Sequence, residues 1–587
     1  MIRHATLIAL TLAAALQAAD CRASDAKPPA TAPLFQLPDP RDGKPVDLAS
    51  WKDSKAIVVL FLGTECPLSN EYLLEIGRLH QAYRVKGVRF VGVNANAQDS
   101  PARVAQHART HAIPFPVVKD AGNRVADAFA ARRTPEAHIV DRSGKVLYRG
   151  RIDDQFGIGY RRGGKPTRRD LACALDEIVA GKPVSRPVTE AAGCFIGRVK
   201  TPQAGGKVTF ARDVSRILQR SCQECHRPGQ IGPMALIEYD DVVAWSETIR
   251  EVIDDGRMPP WHADPKFGHW SNDRRLSTKD RETLRAWLDG GLPRGDDRDL
   301  PPARKYPTGW QIGTPDLVVE MPRSYTVPAE TPKGGVPYQY FAVPTGFKED
   351  RWVQFAEARP GAPSVVHHIL VFIMPPGEVF RPDGPGNVLC GMAPGDMPMM
   401  LQPGFAKKIP AGARLLFQMH YTPNGKEQVD RSSVALVFAK EPPKQRVLTK
   451  PIHNNWFISR LLSIPPTADN FEMEASHTFK RDAYVLGFMP HMHLRGKDFR
   501  YDAVAPDGKR ETLLSVPRYD FNWQSVYRPT KPVPLPKGTK LHCLAHFDNS
   551  AANPNNPDPS ERVYWGDQTW QEMMVGWIDY YEVDDKP

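Results

Sequence analysis

Apolar and polar positions follow different periods in different parts of the chain. In residues 32–185, short apolar runs typical of buried strands alternate with segments whose apolar residues recur at helical spacing. This β-α-β order predicts an α/β domain with a central sheet covered by helices. The segments that carry the pattern are a strand over 55–64, a helix over 70–83, a strand over 88–94 and a hairpin over 136–153.

The middle of the chain follows a helical period. Residues 182–204 contain Pro, Gly and Thr and are interpreted as a linker, and residues 205–297 are predicted to form a small all-α domain. Its first apolar residues recur at helical spacing, and Ser277 is expected to cap a last helix that ends at residues 290–291. The apolar residues of the first helix are Phe210, Val214, Ile217 and Leu218.

Helical periodicity is scarce from Trp310 onward. After a second linker over 298–309, short apolar strands recur and are separated by Pro and Gly. The pattern predicts two all-β antiparallel, jelly-roll-like sandwiches, over 310–445 and 446–585. The fold class is therefore a multidomain chain with an α/β, an all-α and two all-β parts.

The first residues have the pattern of a signal peptide. Arg3 and His4 precede an apolar run over 5–19, and small residues allow cleavage after Ala23, which defines a 1–23 signal peptide. Cys21 leaves a lipoprotein alternative open, although Asp20 fits it poorly. No later stretch has the roughly 18 uninterrupted apolar residues of a membrane span. We expect an exported, periplasmic protein.

Charge and cysteine content narrow the function classes. The net charge is +10, but the basic residues are scattered, so a basic surface is favoured over nucleic-acid binding. Of the eight cysteines, Cys21 leaves with the signal peptide and two belong to the haem motif described next. The five others are an odd number, so at least one thiol stays unpaired or reactive: Cys66, Cys173, Cys194, Cys390 and Cys543.

The sequence Cys222-Gln-Glu-Cys225-His226 is the C-x-x-C-H attachment site of a c-type haem. Two thiols bind the porphyrin and His226 becomes the proximal iron ligand. Met258, in a proline-stiffened loop, is the predicted sixth ligand, with Met234 and His262 as rivals. The 205–297 region is therefore predicted to be a cytochrome c-like domain with covalent haem c.

Histidines gather in strand-like segments of the last region. His491 and His493, at i and i+2, are expected on one side of a strand, so both imidazoles can reach one ion. His367 and His368 are adjacent, so joint ligation requires a bulge. His420 and Met573 complete a six-residue metal set, and the Met573 thioether suits Cu(I).

Four stretches of this region resemble the copper type II ascorbate-dependent monooxygenases, the family of peptidylglycine hydroxylase and dopamine β-hydroxylase. The stretches are Val366–Phe372, Gln418–Tyr421, Pro490–Leu494 and Gln571–Met574. The resemblance implies one copper, an electron donor, held by His367, His368 and His420. It implies a second copper, which binds O2 and faces substrate, held by His491, His493 and Met573.

The chain departs from that family in two respects. The β-sandwiches of that family are crosslinked by disulfides, whereas this region has only Cys390 and Cys543. The family usually has a cysteine after the copper-binding methionine, and this chain has Met574 there, so Cys543 lacks that partner. Met489 replaces the arginine with which peptide hydroxylases grip a substrate carboxylate. The second departure disfavours a C-terminal glycine peptide as substrate.

The α/β region resembles the thioredoxin-like redoxins. Cys66-Pro67 lies at a strand-to-helix junction, where a helix N-terminus stabilises a thiolate, and Thr134-Pro135 resembles the family's cis-proline. Ser69 replaces the second thioredoxin cysteine, which disfavours a dithiol reductase. Gly63 replaces the peroxiredoxin threonine. The open alternatives are a one-cysteine peroxidase, a Cys66 partnered by Cys173 or Cys194, and a domain used for docking.

These features together predict an exported copper-dependent monooxygenase. It would hydroxylate a C–H bond of a small-molecule or peptide substrate with O2, at a centre formed by His491, His493 and Met573. Electrons would arrive from a periplasmic donor through the haem, or from an ascorbate-like reductant. The alternatives are a copper and haem electron-transfer protein without oxygenase activity, and a thiol peroxidase with Cys66 as its catalytic residue.

Overall fold

The structure is a computed structural model. It describes residue 31 and residues 34–51, 53–161, 165–203, 205–379, 388–393, 395, 397–453 and 462–583. The predicted signal peptide over 1–23 lies outside these residues. Within them, none of the helices is both long enough and apolar enough to span a membrane. The chain forms two compact units, Met1–Pro259 with Arg275–Ala303, and Pro260–Arg274 with Arg304–Pro587.

The first unit contains the predicted α/β domain. All six residues of Ala56–Phe61 are buried, because this strand lies in the middle of a sheet that is covered on both faces. Helix Pro67–Arg84 follows it and starts at the N-cap Cys66. The sheet is five-stranded, in the order Val117–Lys119, Val88–Asn94, Ala56–Phe61, Glu136–Val140 and Val146–Gly150.

Short elements surround this sheet. The additional strand pairs bring distant parts of the unit together, notably Arg133–Thr134 with Cys194–Phe195. The helices are Leu48–Ser50, Pro101–Thr110, Arg124–Ala128 and Asp170–Val179, and the other strands are Gln36–Pro38, Pro45–Asp47, Phe156–Gly157 and Tyr160–Arg161.

The rest of the first unit consists of short helices. Phe210, Val214, Ile217 and Leu218 are all buried, as their spacing predicts, and they pack with Trp287. Ser277 caps the last long helix, since its Oγ accepts a hydrogen bond from the Asp280 N–H at 3.0 Å. The helices are Phe210–Val214, Ser215–Ser221, Tyr239–Ala244, Ser246–Asp254, Thr278–Asp289 and Asp297–Asp299.

Residues Pro260–Arg274 group with the second unit, although the sequence prediction includes them in 205–297. Trp261 and Trp270 of this segment are buried in the core of the second β-sandwich, where both rings contact Tyr527. The segment that follows Met258 therefore packs as part of the β-rich unit.

The first β-sandwich has a four-stranded and a six-stranded sheet around one apolar core. The four-stranded sheet is ordered Gln339–Pro344, Arg414–Tyr421, Val366–Met374 and Val388–Met392. The six-stranded sheet is ordered Leu317–Glu320, Ser433–Phe438, Arg351–Arg359, Phe405–Ile409 and Gln445–Arg446, with Met399–Met400 also paired to Arg351–Arg359. Tyr325–Val327 and Gln428–Asp430 form a separate ribbon.

The second β-sandwich packs two four-stranded sheets. Its strands alternate as the sequence predicts: Met473 and Ala475 face the core, whereas Glu472 and Glu474 are exposed. One sheet is ordered Leu448–Ile452, Val575–Glu582, Ala483–His491 and Val533–Leu535, and the other Phe471–Thr478, Lys540–Phe547, Gly496–Val504 and Arg510–Val516. Ser463–Ile464 pairs with Val563–Tyr564.

Candidate metal centres and thiol site

Three of the predicted ligands converge in the first sandwich. His367 and His368 lie on Val366–Met374, and His420 lies on the neighbouring strand Arg414–Tyr421, where it pairs with His368. One ring nitrogen from each lies within 4.8 Å of the others. The strand register shifts between Val366 and His368, which is the bulge that two adjacent ligands require.

Burial keeps these three imidazoles neutral. Burial, and after it the neighbouring imidazoles, lower the pKa of His367 to about 4 and that of His420 to about 3. The pKa of His368 is well below its ordinary value for the same reasons. Neutral rings keep the lone pair that metal coordination needs.

Two nitrogens of this cluster lack a hydrogen-bond partner. The His367 Nδ1 and the His368 Nε2 are buried and bond to none of the described residues. Buried polar atoms without a partner are costly and rare, so each calls for an explanation. A soft, imidazole-binding ion such as copper would satisfy both atoms, and the donor set therefore fits the metal that the sequence implies.

The second pair of histidines lies at the end of a strand. Strand Ala483–His491 ends at the first of them, and His493 follows two residues later in irregular backbone. The expectation that both lie in one strand is therefore wrong, because strand pairing stops at His491, opposite Val575. The rings are nevertheless close, with centroids 5.2 Å apart and planes at 89°.

Hydrogen bonds orient both of these rings. The His491 Nδ1 lies 2.7 Å from the Gln524 side-chain oxygen, and the His493 Nδ1 lies 3.1 Å from the Gln571 carbonyl oxygen. Both partners accept, so each Nδ1 carries the proton and donates it. The Nε2 lone pairs are left for a metal, an arrangement usual for ligating histidines. Burial lowers the pKa of both rings.

Glu572 links Met573 to this pair. Its buried carboxylate accepts hydrogen bonds from the backbone N–H groups of His493 at 2.9 Å, Arg495 at 2.6 Å and Met573 at 3.3 Å. Burial raises the pKa of Glu572 to about 7. Because one carboxylate binds both backbone segments, it holds the backbone of Met573 close to that of His493. The sequence analysis missed Glu572, whose only signal was its place before the methionine ligand.

Phe521 lies between the two groups of ligands. Its ring stacks on His367 with centroids 5.2 Å apart and planes at 12°, and it meets His493 edge to face at 5.8 Å. The two imidazoles are therefore no farther apart than the sum of these distances. No pattern in the sequence marks Phe521, since it contributes contact and no ligand atom.

Cys66 is the N-cap of helix Pro67–Arg84 and is 1% exposed. Its Sγ donates to the Thr134 carbonyl at 2.8 Å and accepts from the Ser69 N–H at 3.4 Å. Burial by itself raises the pKa of Cys66, but hydrogen bonds from Cys194, Thr134 and Ser69 lower it to about 6. The Thr134-Pro135 bond is cis, as the redoxin resemblance implies.

Gly63 has no room for the threonine that peroxiredoxins carry. A Cβ there would lie 2.8 Å from the Asn96 side-chain nitrogen, 3.0 Å from the Thr134 hydroxyl and 3.2 Å from the Cys66 Cβ. The hydroxyl of buried Ser69 accepts from the Gly63 N–H at 3.2 Å. The space around Cys66 is therefore filled differently from a peroxiredoxin site.

The C-x-x-C-H residues form one turn. The N–H groups of Cys225 and His226 both donate to the Cys222 carbonyl, at 3.1 and 2.9 Å. The His226 Nδ1 lies 3.3 Å from the Met234 carbonyl, which leaves Nε2 for an iron ion. Burial raises the pKa of Cys222 to about 12, so it is a thiol. This donor set fits haem attachment.

The predicted sixth ligand follows helix Ser246–Asp254. The Met258 N–H donates to the Val252 carbonyl at 3.0 Å. The two alternative sixth ligands lie in different places. Met234 is buried in the helical core, and His262 belongs to the other compact unit. The pairing of His226 with Met258 stays a prediction.

Comparison with known proteins gives two matches to protein families. Residues 27–156 match the Redoxin family, and residues 456–586 match the "Copper type II ascorbate-dependent monooxygenase, C-terminal domain". The second match contains His491, His493 and Met573, and the first contains Cys66. The two resemblances stated from the sequence are confirmed.

Curated relatives match about a fifth of the chain. The chain is 26% identical over 106 residues to the thiol-disulfide oxidoreductase ResA of Halalkalibacterium halodurans, covering 18% of this chain and 58% of the relative. It is 28% identical over 116 residues to the protein of the same name from Bacillus subtilis, and this match covers 20% of this chain and 63% of the relative. The chain thus spans less than two thirds of the length of these relatives.

Solved structures also resemble part of the chain. A hypothetical protein from Sinorhizobium meliloti 1021 is 28% identical, with a TM-score of 0.28, and the match covers 31% of this chain and 100% of that one. An uncharacterized conserved protein from Geobacillus kaustophilus is 33% identical, with a TM-score of 0.28, and the match covers 30% of this chain and 94% of that one. The chain therefore has one region similar to the redoxins and a second region similar to the C-terminal domain of the copper type II ascorbate-dependent monooxygenases.

Proposed function

We propose that this protein is an exported, periplasmic copper-dependent monooxygenase that hydroxylates a C–H bond with O2. The observation that carries the proposal is the pair of ligand groups in one compact unit. His367, His368 and His420 converge in one sandwich, and His491 and His493 converge in the other, where each Nδ1 is hydrogen-bonded and each Nε2 is left for a metal. The family match at 456–586 supports copper as the metal.

The two ligand groups suit different tasks. Three neutral imidazoles would hold the first copper, and two imidazoles with the Met573 thioether would hold the second, because a soft thioether favours Cu(I). Bound there, copper would supply the one-electron redox chemistry that hydroxylation with O2 requires. Gln524, Gln571 and Glu572 fix the orientation of the second group, and Phe521 separates it from the first.

The reaction needs two electrons beyond those of the C–H bond. We propose that they enter through a covalent haem c, which Cys222 and Cys225 would attach and for which His226 and Met258 would supply the iron ligands. His/Met ligation raises the haem potential, which suits electron transfer. The donor to the haem would be a periplasmic redox protein, whereas an ascorbate-like reductant would reduce the coppers directly. The substrate would be a small molecule or a peptide. Met489 supplies no charge for a peptide carboxylate.

Replacing Met573 with Ala tests the oxygenase assignment. We expect substrate-dependent O2 uptake to be lost, because the second copper loses its thioether. Met400→Ala is the matched control, since this methionine is 51% exposed and lies in the first sandwich. Unchanged O2 uptake in Met573→Ala would refute the assignment. Copper binding without O2 uptake in the unmodified protein would support an electron-transfer protein instead.

Replacing Cys222 with Ala tests the electron route. We expect the haem to be lost and turnover driven by a redox protein to slow, while turnover driven by ascorbate persists. Equal loss with both reductants would contradict the route. A thiol peroxidase, in contrast, would lose peroxide consumption in Cys66→Ser and keep it in His491→Ala.

A further inference from the structure

We propose that Cys66 and Cys194 form a redox-active dithiol–disulfide pair, in which the second cysteine comes from the segment that follows the redoxin domain. In a C-x-x-C site both cysteines belong to the start of one helix. Here position 69 is a serine, and Cys194 takes its place from 128 residues along the chain.

Both cysteines meet at Thr134. Strand Cys194–Phe195 pairs antiparallel with Arg133–Thr134, and Cys194 lies directly opposite Thr134. The Cys66 Sγ donates to the carbonyl oxygen of that same residue at 2.8 Å. Cys194 also hydrogen-bonds to Cys66 through both its thiol and its backbone N–H. The two cysteine side chains are therefore neighbours at Thr134, which is the proximity that a disulfide between them requires.

Gly193 makes this approach possible. Its φ of 122° lies in the region that side chains rarely adopt, and a Cβ would lie only 2.1 Å from the Thr134 carbonyl oxygen. Every other residue at this position would push the strand away from Thr134. The glycine therefore holds Cys194 against Cys66.

Hydrogen bonds to helix Ser246–Asp254 also hold strand Cys194–Phe195 and its partner Arg133–Thr134 in place. The Phe195 N–H donates to the Thr248 hydroxyl at 3.1 Å, and Arg133 donates to the Gly193 carbonyl at 2.7 Å and to Glu251 at 2.8 Å. Thr248 and Glu251 belong to helix Ser246–Asp254. The pair consequently lies where the redoxin domain contacts the helical segment of the same compact unit.

The two sulfurs differ in access and in acidity. Cys66 is 1% exposed, whereas Cys194 is partly exposed, so Cys194 is the more accessible of the two residues for an external thiol. The pKa of Cys66 is about 6, whereas the hydrogen bond with Cys66, and then burial, raise that of Cys194 well above its usual value. Since the sulfur of lower pKa leaves faster, Cys66 is the leaving group when the disulfide is reduced.

The reaction follows from this difference. The thiolate of an external dithiol attacks the Cys194 Sγ, the Cys66–Cys194 bond breaks, and Cys66 leaves as a thiolate. The second thiolate of the dithiol then attacks its own bound sulfur and releases Cys194, which takes up a proton. The dithiol becomes a disulfide and the pair gains two electrons. The partner class is thus a dithiol, in a protein or a small molecule.

Peptide mapping of the full-length protein tests the pair. The protein is oxidised with diamide, its remaining thiols are alkylated, and its disulfide-linked peptides are identified by mass spectrometry. We expect a Cys66–Cys194 link that dithiothreitol reverses. Cys173→Ser is the matched control and keeps the link, while Cys66→Ser and Cys194→Ser lose it. Alkylation of both cysteines after diamide, or a link from Cys66 to Cys173, would overturn the proposal.

A second measurement tests the order of attack. The oxidised wild-type protein is mixed with glutathione, a monothiol, and quenched in acid. We expect glutathione on Cys194 in at least a tenfold excess over Cys66. Glutathione mainly on Cys66 would overturn the proposed entry point. Because this experiment uses no variant, it is independent of whether the serine variants fold.

Discussion

The two ligand groups of the β-rich unit are held in different ways. His367, His368 and His420 are carried by two paired strands, and a bulge turns the adjacent pair to one side. His491 lies at the end of a strand and His493 lies beyond it. Both are oriented by the hydrogen bonds that they donate, to Gln524 from His491 and to Gln571 and Glu572 from His493. The first group is fixed by sheet pairing, and the second by polar partners.

The difference predicts what each group does without metal. The first group leaves two buried ring nitrogens without a hydrogen bond among the described residues, so it gains most from an ion. In the second group both Nδ1 atoms are hydrogen-bonded, and the Nε2 lone pairs are left for a metal ion. Metal bound to the first group should therefore contribute most of the metal-dependent gain in folding stability. The metal affinity of the second group should depend on the residues that hydrogen-bond to its imidazoles.

The largest expected effect follows removal of copper. Protein loaded at about 1,000 times the dissociation constant of a site gains about 4 kcal/mol from that site, so a cuprous chelator should lower Tm markedly. We expect His420→Ala to lose most of this shift and to retain only the part due to the second group. Calorimetry with and without chelator measures it, and an equal Tm in both conditions would contradict the fit to copper.

Replacement of His420 with Ala should remove the first copper alone. We expect one copper per chain in place of two, and O2 uptake reduced at least about 100-fold, because losing a ligand exceeds the loss of an outer partner. His477→Ala is the control, since His477 lies on strand Phe471–Thr478 outside both groups. Metal analysis and an oxygen electrode measure the two effects. Two coppers retained in His420→Ala would refute the ligand set.

Much of this arrangement is predictable from apolar patterns and local spacing. Strand Val88–Asn94 has the predicted bounds, because a long buried run fixes a strand locally. The bulge at His368 also follows from the need to ligate with adjacent residues.

Other features depend on contacts between residues far apart in the chain. Strand Ala483–His491 ends opposite Val575, the first residue of its antiparallel partner strand. His493 therefore lies beyond the sheet, and the prediction that places it in the strand fails. Glu572, Phe521 and the contact of Cys194 with Cys66 arise only when distant segments meet. Sequence spacing alone left Cys173 and Cys194 equally open as partners.

Replacement of Gln524 with Leu sharpens the comparison. The His491 Nδ1 proton loses its acceptor, so we expect the second copper to bind about 10- to 100-fold more weakly while the first is unaffected. Gln524→Glu keeps an acceptor and should restore most of the affinity. Competition with a cuprous chelator measures both constants. Equal weakening of the two sites would show that they are not held independently.

The smallest effect is expected for Phe521→Leu. The stacked contact with His367 and the edge contact with His493 contribute about 0.5–1.5 kcal/mol each beyond burial. We expect a loss of that order in urea unfolding, with both coppers still bound. If either copper is lost, Phe521 does more than fill the space between the groups.

The most direct test of the account is X-ray absorption at the copper edge of the Cu(I)-loaded protein. The wild-type spectrum should contain one sulfur scatterer for two coppers, with nitrogen from imidazole as the remaining ligands. Met573→Ala should remove the sulfur and leave the imidazole scattering of the first group unchanged. A wild-type spectrum without sulfur, or one that Met573→Ala does not alter, would contradict the two-centre assignment.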